Sequence, residues 1–390
     1  MDFANLKAFM DHMAQNRTPG NAVAVYLGKE KVFQYESGYA DLENQKTLTG
    51  NELYNIYSCS KITTVTAGVQ LLEKGLYLLS DPLYEYIPEF REMYIKTAEG
   101  LKKAENPITV GDLFTMTAGF NYNMRTPGFR KAGEVTGGMF DTVETIKCVA
   151  KDPLYFEPGT HWGYSICHDV LAALISVISG KKFRNYVKEN IFDPLDMTES
   201  FYHHTAETLA RTAEQYQFVS ASGESIDLVE AQKSGNDKHG YFKNVGKSCG
   251  YTLGEEYDSG GAGIITSVSD YVKLMAALAN NGTGLTGEQI LSKHAVELMR
   301  TNRLNDQQMA SYDWKQLLGC GYGLGVRTHM DPKVSGLMCS IGEFGWGGAA
   351  GATAMIDPSI GLGVFYAQHC LNPREEYYQP RLCNIVYSCL

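Results

Sequence analysis

Over residues 2–16, Phe3, Leu6, Phe9, Met10 and Met13 recur at helical spacing and predict an amphipathic helix, which Arg17-Thr18-Pro19-Gly20 ends. Residues 22–27 and 31–35 then read as two strands joined by a tight turn at Gly28-Lys29-Glu30. A long apolar run through Ile62, Val65, Val69, Leu71 and Leu72, stopped by Gly75, predicts a buried helix. Further helices are expected at 108–119, N-capped by Thr109 and stopped at Gly119, and over 142–150, 168–179 and from Ser267 through Leu278. Strand patterns return at 321–327, 352–356 and 363–367, before a closing helix near 373–388.

Strands at both ends and helices between them imply an α+β chain whose termini share one sheet while its middle forms a helical lobe. The division expected is about 1–56 with 260–390 for the sheet lobe and 57–259 for the helical lobe, with the site in the cleft between them. Within the helical part, residues 205–258 turn polar, with serine, glycine and asparagine clusters at 220–223 and 234–237, and read as a surface excursion at a rim or lid.

Composition narrows the function classes. The 390 residues are 44% hydrophobic and 20% charged, which suits an ordinary globular chain with a sizeable core. With 34 basic against 44 acidic residues the net charge is -10, which argues against nucleic acid or an anionic membrane as partner. No apolar run reaches membrane-spanning length, and the first residues carry neither a basic nor an apolar leader segment, so a cytoplasmic location is expected. The nine cysteines are odd in number and lack C-x-x-C pairing, so free thiols are expected. The nine histidines show no metal-ligand spacing, and the adjacent His203 and His204 are expected to be solvated. Gly321-Tyr322-Gly323-Leu324-Gly325 reads as strand rather than a nucleotide loop, and no cofactor or metal is implied.

The chemistry concentrates in Ser58-Cys59-Ser60-Lys61. Residues three apart on a helix share a face, so Ser58 and Lys61 can meet. A serine hydroxyl attacks a carbonyl only when a neighbour takes its proton, and lysine does this once burial lowers its pKa. Cys59 should point away from Lys61 and be structural. Two further stretches are candidates. Tyr164, on a loop before an apolar helix, presents either a proton-relaying phenol or one packing ring among 25 tyrosines. Trp346-Gly347-Gly348-Ala349 sits in a glycine-rich strand that either lets a ligand approach the backbone or marks a crowded bend. In the first case the N–H groups of Ser58 and Ala349 form an oxyanion hole.

Taken in order, Ser58-x-x-Lys61, Tyr164-Ser165-Ile166 and Trp346-Gly347-Gly348 resemble the motifs of the serine β-lactamase and penicillin-binding-protein superfamily, in its class C and family VIII carboxylesterase branch. Supporting similarities include Asp81-Pro82, Pro158-Gly159-Thr160, Gly260-Gly261-Ala262-Gly263 and Tyr322-Gly323-Leu324-Gly325. The resemblance implies an antiparallel sheet flanked by helices, with Ser58 as acyl-forming nucleophile and Lys61 and Tyr164 as the acid/base pair. The asparagine of the second motif is Ile166 here, a loss that the nearby His168 would have to make good, and the lysine or histidine of the third is Trp346. Both changes favour neutral, apolar acyl groups over anionic amides, with Trp346, Gly347, Gly348 and Ile166 expected to contact substrate. The implied activity is hydrolysis of small neutral esters. The alternatives are a β-lactamase or D-amino-acid peptidase, and a penicillin-binding or sensor module that acylates without turnover.

Overall fold

The computed structural model describes residues 1–235 and 239–390. An eight-stranded antiparallel sheet is built from both ends of the chain. Its strands are β1 (Gly20–Leu27), β2 (Glu30–Asp41), β3 (Lys46–Thr47), β4 (Cys320–Tyr322), β5 (Arg327–His329), β6 (Phe344–Gly345), β7 (Thr353–Asp357) and β8 (Leu362–Gln368), in the order β4-β5-β6-β7-β8-β1-β2-β3. The N-terminal β1 pairs with β8 near the C-terminus in the register Val23↔Tyr366, Ala24↔Phe365, Val25↔Val364.

Side chains alternate across a strand, so this register sorts the two faces of the sheet. Val23, Val25, Val364 and Tyr366 pack with Leu6 and Met10 of α1 (Ala4–Asn16) and with Tyr378 and Leu382 of the closing helix. Ala22, Ala24, Phe365 and Ala367 share the larger core of the opposite face with Tyr271, Leu274 and Met275. Because both faces are covered, β8 is buried along its whole length. Each of its fully buried large side chains contributes about 1.5–3 kcal/mol.

The helices that frame the site are α2 (Ser60–Glu73), α3 (Cys167–Ser179), α4 (Val268–Ala279) and α5 (Glu375–Ser388). Ser267 caps α4 by accepting from the Asp270 N–H, and Gly180 closes α3 in the left-handed conformation, both as their sequence signals require.

Several expectations need correction. Residues 321–327 are not one strand: β4 and β5 are antiparallel partners, and the chain reverses between them where Gly325 takes φ +73°. The 108–119 helix covers only Val110–Thr115 and ends on Met116 at φ +60°. Gly119 has a different task, since a Cβ there would lie 2.5 Å from the Phe156 carbonyl. The glycine-rich segment is likewise a strand end followed by a turn, in which the Gly351 N–H donates to the Gly348 carbonyl at 2.7 Å.

The polar excursion at 205–258 has structure of its own. It folds a hairpin, Gln215–Val219 with Tyr241–Gly246, that packs against the segment before the nucleophile turn. Of its polar cluster at 234–237, Asn236 and Asp237 lie outside the described residues. His203 is not merely solvated but sits 2.9 Å from the buried Asp258 carboxylate, and His204 is half-buried beside it. All nine cysteines are free thiols. No helix among the described residues is long and apolar enough to cross a membrane.

Candidate active site

Residues Tyr54–Asn55 pair with Ile265–Thr266 and lead into a single 3-10 turn, Tyr57–Cys59, from which α2 starts. Ser58 therefore sits in the tight turn just ahead of the helix and Lys61 in the first helical turn. Tyr57 holds φ +46°, a left-handed conformation that a bulky side chain adopts only when its surroundings impose it, at about 1–3 kcal/mol. Gln215 does the imposing. Its Oε1 accepts from the Tyr57 hydroxyl at 2.5 Å, while its Nε2 donates to the carbonyls of Gly246 and Ser248. The hairpin thus fixes the residue that aims Ser58.

Lys61 is fully buried, and its Nζ lies 3.1 Å from Ser58 Oγ, 2.6 Å from the Tyr122 hydroxyl and 2.7 Å from the Gly261 carbonyl. No carboxylate reaches it within ion-pair distance among the described residues. Burial pushes its pKa down to about 7 against the opposing pull of Asp169. Asp169 is itself held by Tyr257 and Ser259 at 3.1 and 2.7 Å. Only glycine fits at 261, because a Cβ would stand 2.6 Å from Asp169 Oδ2 and 2.8 Å from the Tyr122 hydroxyl.

Tyr164 joins the same cluster. Its ring lies under the Lys61 amine, 4.7 Å from centroid to Nζ, and stacks on Trp346 at 5.6 Å. Its hydroxyl accepts from Trp346 Nε1 at 3.2 Å, and Ser58 lies beside it on the same cavity wall. Burial raises its pKa well above the usual phenol value, although these two neighbours favour the phenolate. The phenol is therefore protonated at neutral pH.

Ser58, Tyr164, Trp346, Gly347 and Ala349 line one cavity of about 170 Å³, open to solvent. The amides of Ser58 and Ala349 donate to no other group among the described residues. Arg327 also reaches this cavity, but Glu343 binds its guanidinium in two parallel hydrogen bonds of 2.6 and 2.9 Å. A second, wider cavity meets the first at Ala349 and is walled by Tyr57, Tyr122, Arg125 and Tyr251.

Two of the residues expected to touch substrate do not line the cavity. Ile166 is buried in the main core with its N–H on the Asn121 carbonyl. Gly348 serves the backbone instead: a Cβ there would lie 2.3 Å from the Ile56 carbonyl, so it lets this segment close onto the nucleophile turn. His168 does not replace the missing asparagine either, since its ring is buried against the Phe114 carbonyl and Gly325, and burial lowers its pKa to about 3. Cys59 points away from Lys61, its thiol 3.4 Å from the Trp346 carbonyl. Tyr122 is the participant that the sequence did not disclose. It lies 61 positions from Lys61, and nothing in its neighbourhood separates it from 24 other tyrosines. Among the described residues no cluster of three potential metal ligands occurs.

A hydroxyl in contact with a buried amine, two phenols and a pair of amides without a partner among the described residues thus gather at one place on this sheet-and-helix frame. The chain belongs to the Beta-lactamase family, whose model matches residues 6–382. It is 26% identical over 378 residues to Esterase EstB from Burkholderia gladioli, covering 93% of this chain and 88% of that protein. Its fold is that of EstCE1, described as a hydrolase with promiscuous acyltransferase activity (TM-score 0.77, 22% identity, 99% of this chain and 100% of the other). It is also that of unliganded simvastatin synthase LovD from Aspergillus terreus (TM-score 0.74, 19% identity, 98% and 97% covered).

Proposed function

We propose that the protein is a serine hydrolase that forms an acyl-enzyme on Ser58 and acts on small neutral carboxylic esters. The observation that carries this reading is the 3.1 Å contact between the Ser58 hydroxyl and a buried amine that has no carboxylate partner among the described residues. A neutral amine has two N–H donors and one lone pair. One N–H goes to the Gly261 carbonyl, and the lone pair is left to accept from a hydroxyl. As Ser58 attacks the ester carbonyl its proton passes to Lys61, and the carbonyl oxygen takes up negative charge between the N–H groups of Ser58 and Ala349. Loss of one such donor raises the barrier by about 3 kcal/mol. Tyr164, protonated and lining the cavity beside Ser58, hands a proton to the departing alkoxide and recovers one from the Lys61 side. Water then attacks the acyl-enzyme, and the same groups act in reverse order.

The neutral-ester preference is supported by the apolar face of Trp346 and by Arg327, whose charge Glu343 already answers. Similarity to an esterase points the same way. Turnover of p-nitrophenyl butyrate and of a chromogenic cephalosporin, with intact-protein mass after brief exposure to each, tests the reading. An acyl adduct and ester turnover are expected in the wild type, with turnover falling by about 10³-fold or more and no adduct in Ser58→Ala. Equal turnover by that variant would refute the mechanism, and faster cleavage of the cephalosporin would move the substrate to the amide class.

A further inference from the structure

We propose that Glu375 makes the cavity beside Ser58 selective for a ligand arm bearing a hydrogen-bond donor, an ammonium or a hydroxyl, and selective against an arm bearing a carboxylate. In its catalytic sense this deepens and rests on the serine-hydrolase reading; in its binding sense it rests on the cavity alone.

Glu375 is the first residue of α5 and lines the cavity opposite Ser58, together with Gln316 and Gln379. Its Oε2 accepts from Gln316 Nε2 at 2.9 Å, and no cation pairs with it among the described residues. Its Oε1 would be 3.3 Å from a Cβ on Gly347, so that glycine leaves the carboxyl uncovered on the cavity side. A carboxyl with one hydrogen bond and acceptor capacity to spare is an incomplete site.

The surrounding charges do not complete it. Glu376, next along α5, carries the same sign and is engaged by Arg374. Arg327, facing in from β5, is bound to Glu343. From the other elements the facing groups are the thiol of Cys59 and the phenols of Tyr164 and Tyr378, all protonated at neutral pH. Burial, with help from Glu376, pushes the Glu375 carboxyl up to about 7. Above that pH an incoming carboxylate meets a like charge with no free cation among the described residues to offset it, whereas an ammonium finds its counter-ion. Below it the neutral carboxyl still exchanges hydrogen bonds with a hydroxyl, and the ammonium preference fades.

Trp162, Trp314 and Trp346, the three tryptophans of the chain, stand in one cluster with ring centroids 5.3 and 6.1 Å apart, and two of them line this cavity. Intrinsic fluorescence therefore reports binding there. Titration of Ser58→Ala with propylammonium, 1-propanol and propionate is the primary test. At pH 8 propylammonium is expected to bind at least about tenfold more tightly than propionate, with 1-propanol between them, and adding Glu375→Gln to bring the two ions within about threefold. Lowering the pH from 8 to 6 should weaken propylammonium, and adding Glu375→Gln should remove that pH dependence, which separates it from the titration of Lys61 in the same range.

Matched esters carrying the ammonium or the carboxylate, placed in turn on the acyl and on the alcohol arm, should show the same ratio in kcat/KM and the same collapse in Glu375→Gln. Ion preferences that are flat with pH, or unchanged when Glu375→Gln is added although the single Glu375→Gln variant still takes a fluorophosphonate label on Ser58, would overturn the proposal. An intact ammonium preference without any Ser58-dependent turnover would instead refute the hydrolase reading and leave the binding inference standing.

Discussion

At the scale of single residues, the state of one amine governs what the cluster can do. Lys61 accepts the Ser58 proton only when neutral, and burial sets that change at about pH 7. For an uncharged ester, log kcat/KM should therefore rise with unit slope below about pH 7 and level off above it. Glu375 titrates in the same range, so the profile is best recorded in Glu375→Gln, where the two titrations no longer overlap. The sign for stability follows from the same shift. The folded pKa lies below the unfolded value near 10.4, so between about 7 and 10 the unfolded chain holds the extra proton and stability rises with pH. At pH 6 both states are protonated and the fold carries a buried ammonium. Lys61→Met should abolish turnover yet raise the urea midpoint at pH 6, and an unchanged or lower midpoint would contradict this account. Ser58 and Lys61 were legible in the sequence because three residues of spacing are enough to bring them together. Tyr122 and Glu375 were not, because one is a tyrosine in a loop and the other looks like an ordinary first-turn acid until the tertiary fold turns both toward Ser58.

At the scale of elements, the nucleophile turn is held from two sides, by Gln215 on Tyr57 and by the chain around Gly348 pressed on Ile56. Gly348→Ala would put a methyl 2.3 Å from the Ile56 carbonyl, which only a backbone shift can relieve. It should destabilise the protein by about 1–3 kcal/mol and cut ester turnover by about tenfold or more, with KM less affected than kcat. Urea denaturation beside steady-state kinetics checks this, and an active, fully stable variant would show that the contact is slack. Helix ends were read well where a local cap announced them, as at the starts at Thr109 and Ser267 and the stop at Gly180. Reading failed where glycines stood for something other than extended chain. Gly325 supplies a left-handed turn and Gly348 a close backbone approach, and a strand pattern cannot tell either from a packed sheet.

At the scale of the molecule, the sheet joins residues that are hundreds of positions apart, and β1 has β8 as one of its two neighbours. A chain ended after Gly361 lacks β8 and α5, and with them half the packing of β1. It should lose cooperative unfolding by circular dichroism in urea altogether, rather than melt at a lower midpoint. A sharp transition in the shortened chain would show that the helical part folds alone. That both termini share the sheet was visible from where the strand patterns fall. The bracing of the nucleophile turn by the polar hairpin was not, because a surface hairpin and a supporting one have the same composition.

The meeting of the two cavities at Ala349 reaches beyond the catalytic cluster. A molecule stretched across that junction has its two ends judged by different walls, aromatic and acidic on one side, tyrosine-rich and more open on the other. Tolerance for one end can therefore drift, or be engineered, without renegotiating tolerance for the other.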